Sequence, residues 1–213
     1  MTAPSRVVVF LDYQNVYMGA RECFHSRWSP HPEGQIDPLK LAEHIAEDSP
    51  FDRELAQVRV YRGLPDGSKD PKGYSAARRQ IAAWQALDPR VLVFPRPLSY
   101  PHGWPDSHKP GEKPREKGID VSLAIDFAVL AVTRQYDVGV LMSTDTDLKP
   151  ALEAIPVLAA GRAFPRAEVA AWSGEGQRRR ISLGGNKPYC HWLDKTTYSF
   201  VCDHTDYSDS ALS

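Results

Sequence analysis

Cysteine is scarce in this chain: Cys23, Cys190 and Cys202 are the only three among 213 residues. Three scattered thiols build no disulfide framework, and an odd count fits a reducing cytoplasm. Cys190-His191 and Cys202-x-His204 bring thiol and imidazole together, but without the CxxC knuckle of a zinc site. Buried thiols beside ordinary histidines are the simpler reading. Long apolar runs are also missing, and none approaches the roughly 18 residues of a membrane span. The opening Met1-Thr2-Ala3-Pro4-Ser5-Arg6 runs straight into a short apolar strand, with no apolar region and small-residue cleavage site of a signal peptide. A cytoplasmic protein without a membrane partner is expected. A net charge of -1 argues against a protein that coats nucleic acid by bulk charge alone, although not against local basic surface. Internal repeats and low-complexity tracts are lacking as well.

What is present is an alternation of apolar strands and amphipathic helices. Arg6 to Leu11 is a continuous, β-branched run ending at Asp12, the pattern of a central parallel strand buried on both faces. A helix is expected from about Asn15 to Phe24, then a loop rich in proline and glycine. Asp37-Pro38 starts a second helix, with Asp as cap and Pro in the first turn. Val58–Tyr61, Val91–Phe94, Val138–Met142 and Glu168–Trp172 read as further strands, and 73–87, 119–132 and 148–160 as helices. Residues 95–118 form a long loop with a basic lean, and such loops usually serve a function or are disordered. The sum is an α/β fold, a doubly wound parallel sheet of about five strands flanked by helices. Residues 5–175 are expected to form one domain. Residues 176–213 are expected to form a short C-terminal extension packed on it, with an extended piece at Tyr189–Leu193 and a small helix capped by Asp194.

In an open parallel sheet, ligands bind outside the carboxyl ends of the strands. Asp12 leaves the first strand there, and Asp145 leaves the fourth with Asp147 two residues on. Asp120 stands in the first turn of the 119–132 helix. If the first and fourth strands are neighbours, three or four carboxylates converge at one edge. Bare carboxylates in one pocket raise each other's pKa, and a divalent cation relieves the repulsion. All-oxygen ligation favours Mg²⁺ or Mn²⁺. Each acid also has a plainer role open to it. Asp12 and Asp145 could cap the next turn, Asp147 could cap the 148–160 helix, and Asp120 suits the positive end of a helix dipole. Asp126 is six residues beyond Asp120, about 9 Å along the helix axis, so a structural role and a site role both remain open.

These residues carry a resemblance. Phe10-Leu11-Asp12-Tyr13-Gln14-Asn15 resembles the first motif of the NYN domain family, which is related to PIN-domain ribonucleases. Lys117-Gly118-Ile119-Asp120-x-x-Leu123-x-x-Asp126 resembles its helical K-G-x-D-x-x-L-x-x-D motif. Ser143-Thr144-Asp145-Thr146-Asp147-Leu148 resembles its S-x-D-x-D-[FL] motif. Tyr13-Gln14 and Thr146 depart from the family pattern without removing an acid. The resemblance implies a PIN-like sheet and a metal-dependent endoribonuclease that hydrolyses RNA with Mg²⁺ or Mn²⁺. The implied metal ligands and catalytic residues are Asp12, Asp120, Asp145 and Asp147. Asn15 and Ser143 would support them, each with a local capping or strand-end role as the alternative. Lys117 and Arg62 would meet phosphate, a solvated lysine being the plainer role for Lys117.

The expected partner is RNA, single-stranded or in structured loops, with a homodimer left open. The alternatives are an RNA-binding or regulatory module that keeps the acidic pocket but turns over little, and a phosphatase on a similar sheet. Gly63-x-x-x-Gly67-Ser68-Lys69 lacks phosphate-loop spacing, and Gly174-x-Gly176 lacks the third glycine of a dinucleotide fingerprint. Single-stranded RNA needs a cationic track with stacking rings. Arg178, Arg179 and Arg180 offer charge, or else a solvated turn. Tyr13, Tyr61, Tyr74, Tyr100 and Trp104 offer rings, with core packing the simpler role for Tyr61.

Overall fold

A computed structural model describes residues 3–26, 28–184 and 187–208. The last residues of the C-terminal extension, 209–213, and the loop residue Arg27 lie outside the described residues. Strand β1 (Ser5–Asp12) leads directly into helix α1 (Tyr13–Phe24). Helix α2 (Pro38–Glu47), strand β2 (Arg53–Leu64), helix α3 (Pro71–Leu87) and strand β3 (Val91–Pro97) follow. Helix α4 (Ile119–Val132), strand β4 (Val138–Met142), a 3₁₀ turn (Thr146–Leu148), helix α5 (Lys149–Ala159) and strand β5 (Arg166–Gly174) complete the central unit. The extension adds β6 (Gln177–Arg178), β7 (Cys190–Leu193) and α6 (Lys195–Val201). Among the described residues no helix is long and apolar enough to cross a membrane.

The sheet order is β3-β2-β1-β4-β5-β6, and β7 pairs in parallel with β5. The central pairings are parallel, with β6 returning antiparallel on the end of β5. Alternation along β1 explains the two covered faces. Val7, Val9 and Leu11 enter one core with residues of α1, α2 and α6. Val8 and Phe10 enter the other with residues of α4 and α5. A strand buried on both faces has no polar positions to spare, which is why residues 7–11 are apolar without interruption.

Two sequence expectations change here. The sheet is larger than about five strands, because β7 joins it and Leu193, Tyr198 and Val201 enter the first core. An edge strand is set by its neighbour's free hydrogen-bonding groups, which the local pattern does not reveal. The 95–118 segment is also less open than a bare loop: β3 runs to Pro97, and Ser99 and Arg115 exchange backbone hydrogen bonds.

Candidate functional site

Strands β2 and β3 lie on one side of β1, and β4 and β5 on the other. The strand order therefore reverses between β1 and β4, and the crevice beyond their carboxyl ends is the place where such sheets bind ligands. Leu11 pairs with Met142, so the next residues, Asp12 and Ser143, emerge side by side. Asp12 is 4% exposed and caps α1, its side chain accepting the amide of Asn15.

A short hydrogen-bonded chain fixes this corner. Asn15 Nδ2 donates to Asp12 Oδ2 at 2.6 Å, and Ser143 Oγ donates to the same oxygen at 3.0 Å. The Asp145 amide donates to Ser143 Oγ at 3.0 Å, and Thr144 Oγ1 donates to Asn15 Oδ1 at 2.8 Å. Among the described residues, Asp12 Oδ1 receives only the long 3.3 Å bond from the Asn15 amide. Burial pushes the Asp12 carboxyl up. The bonds from Ser143 and Asn15 oppose the rise, and the charge of Asp145 adds to it.

Asp12, Asp120 and Asp145 line one open cleft of about 450 Å³, together with Asn15, Arg115 and Glu116. Asp120 arrives there in the first turn of α4, which follows the N-cap Gly118, whose backbone is left-handed at φ 73°. Glycine adopts that conformation without the clash a Cβ would bring. Glu116 is a carboxylate that the motif reading passed over. Its Oε1 accepts the Gly63 amide at 2.5 Å; burial raises its pKa, with the charge of Asp12 adding to the effect. It sits in an irregular segment, where no periodicity marks it, and the basic residues around it draw the eye.

The other expected site residues are placed differently. Asp147 is exposed and does not line the cleft. It does not cap the following helix either. Asp145, in extended backbone, caps the 3₁₀ turn by accepting the Asp147 amide at 2.9 Å, and α5 starts at Lys149 without a side-chain cap. Lys117 is exposed and also outside the cleft lining. Arg62 is packed against the rings of Tyr13 and Trp84 and donates to Gln80 Oε1 at 2.6 Å. It lines a neighbouring cavity that shares Gln14, Met18, Pro114 and Glu116 with the acidic cleft. Asp126 takes the structural role: its Oδ2 accepts from Tyr61 Oη at 2.6 Å and Arg59 Nη2 at 2.8 Å, tying α4 to β2. Tyr61 is wholly buried and stacks on Phe94. Tyr13 is buried against Trp84, and Tyr74, Tyr100 and Trp104 do not line the cleft.

The donor chemistry suits a hard cation, but not as a closed cage. Among the described residues no three His, Cys, Asp or Glu groups stand at metal-binding spacing. Magnesium usually keeps several waters and needs one or two carboxylates plus substrate oxygens. A cleft with four carboxylates, Asp12, Glu116, Asp120 and Asp145, fits that looser demand. A family model described as NYN domain matches residues 6–158. No curated protein and no solved structure matches the chain.

Proposed function

Because the chain belongs to the NYN domain family, in general a family of ribonuclease-like hydrolases, we propose that it is a metal-dependent endoribonuclease. RNA phosphodiester bonds are the substrate, presented as single strands or loops to the cleft beyond β1 and β4. The observation that carries this reading is Asp12. It is a buried carboxylate at the reversal of strand order, pushed toward protonation by burial and by Asp145, and among the described residues hydrogen-bonded to no cationic side chain. Such a group is unfavourable for folding and well suited to a cation.

Asp12, Asp120 and Asp145 would hold Mg²⁺ or Mn²⁺, with Asp147 outside the cleft. When bound, the cation supplies a Lewis acid for phosphoryl oxygen and a water of lowered pKa. The protein's own part is positioning. Ser143 and Asn15 fix one oxygen of Asp12, and Ser143 also holds the Asp145 amide, so two of the three acids are set by one hydroxyl. Arg115 lines the same cleft and brings positive charge for a phosphate.

The test is a gel assay on end-labelled single-stranded RNA, titrated with Mn²⁺ and Mg²⁺. Cleavage should require the cation and fall to background in Asp12→Asn and Asp145→Asn. Absence of cleavage across several RNAs and both metals overturns the proposal. The open spacing of the acids favours one alternative, an RNA-binding module with little turnover. That reading predicts intact RNA retained on a filter, with affinity falling as salt rises.

A further inference from the structure

A pocket of about 100 Å³ beside the acidic cleft shares Asn15 and Met18 with it and is lined also by Trp172. The same pocket shares Thr144 and Arg179 with an open groove of about 670 Å³, whose lining is completed by Arg178, Arg180 and Trp192. The arginines come from the β5–β6 hairpin and the segment after it, and Trp192 from β7. All lie beyond residue 158, where the family match ends.

This groove is cationic and carries an aromatic ring. The Arg178 guanidinium lies 4.3 Å from the Trp192 ring centre and that of Arg180 5.7 Å, so two planar cations gather at one indole. Arg180 also reaches the Pro188 carbonyl at 3.4 Å. Arg178 and Arg179 are exposed, and among the described residues neither forms an ion pair. Guanidinium groups grip phosphate by paired donors and stack on flat rings, which a lysine cluster would not do. An acidic peptide would satisfy the arginines, but its carboxylates would be repelled on entering the cleft of Asp12, Asp120 and Asp145. A nucleic acid strand suits both places, with phosphates at the arginines and, through a cation, at the acids.

We propose that Arg178, Arg179 and Trp192 form a second RNA subsite, which holds the phosphates and a splayed base of a single strand whose scissile bond lies in the acidic cleft. This rests on the ribonuclease reading for what happens in the cleft. The binding itself is measurable without turnover.

The experiment is fluorescence anisotropy of the full chain with a labelled single-stranded RNA of about 12 nucleotides, in EDTA, over a salt series. Arg179→Ala alone and Arg178→Ala/Arg179→Ala together should weaken binding about fivefold per arginine at 0.1 M salt and flatten the salt slope by about 0.7 for each. Trp192→Leu should weaken binding without changing the slope. Arg134→Ala, beyond the opposite end of β4, should leave both unchanged. Wild-type affinity and slope in the double variant, equal weakening by Arg134→Ala, or no RNA binding by the wild type would each overturn the subsite. Thermal melts of the arginine variants, whose side chains are exposed, establish that folding is intact. Since EDTA removes metal-dependent turnover, the subsite and the cleavage reading stand or fall in separate assays.

Discussion

At the scale of single residues, Ser143 holds the site together. Its hydroxyl is buried, donates to Asp12 and accepts from the Asp145 amide. Alanine there removes both bonds and leaves a buried carboxylate oxygen and an amide each short of a partner. Ser143→Ala should destabilise the fold by about 1–3 kcal/mol in urea melts. It should also lower metal-dependent cleavage by about 10–100-fold, as loss of a group that orients a ligand usually does. Loss of stability with unchanged cleavage would reduce the serine to a strand-end fixture. Asp12→Asn, by contrast, removes a charge that burial and Asp145 both penalise. The folded protein should tolerate it, with a melting temperature at or above that of the wild type in metal-free buffer.

At the scale of elements, the decisive junction is where β2, β5 and β7 meet. Arg53, Glu168 and His191 are 3%, 6% and 6% exposed by side chain. Arg53 donates to both oxygens of Glu168 at 2.6 and 2.7 Å, and His191 Nε2 lies 2.9 Å away. Burial pushes the Glu168 carboxyl up, but the bonds and charges of His191 and Arg53 together outweigh it, so its pKa falls below the usual glutamate range. A carboxyl depressed in the folded state contributes stability above its unfolded pKa of about 4.3 and loses it as pH falls through the folded value. Glu168→Gln should therefore cost about 3 kcal/mol near neutral pH, since it leaves a buried arginine unpaired. The difference from wild type should shrink below about pH 4, which urea melts at several pH values measure. A gap independent of pH would show that shape, not charge, holds the junction.

This junction also marks the limit of what sequence discloses. β1 and β4 are legible because buried parallel strands leave unbroken apolar runs, and α4 because Ile119, Leu123, Phe127 and Leu130 recur at helical spacing. The small helix after Asp194 is legible from its cap, whose side chain accepts the Thr197 amide. The pairing of β7 with β5 has no local signature, because Cys190–Leu193 contains nothing that names a partner. In the site, Asp12, Asp120 and Asp145 are legible from strand and helix ends, whereas Asp145-Thr146-Asp147 presents two acids able to cap one turn. Only the backbone decides between them, and extended geometry at Asp145 makes it the cap. Glu116 and Trp192 escape for the same reason as β7: their roles come from tertiary neighbours.

At the scale of the whole molecule, the acidic cleft and the C-terminal extension bear on one folding equilibrium. The family match stops at 158, yet the first core takes Leu193, Tyr198 and Val201 from beyond it. A chain ending at Gly174 would uncover the edge of β5 and part of that core, and circular dichroism should find it unfolded or aggregated. In the full chain, burial and the charge of Asp145 penalise the Asp12 carboxylate, a cost that the proposed cation would relieve. Anything that binds only the folded state adds stability by mass action, about 2.7 kcal/mol at a hundredfold excess over Kd. For a chain of this length that is about 5–10 °C in melting temperature. Mn²⁺ should raise the wild-type melting temperature by that order, and the rise should be lost in Asp12→Asn and Asp145→Asn. A rise of equal size in both variants would mean that the ion binds elsewhere, and the acids beyond β1 and β4 would then have to be explained by capping alone.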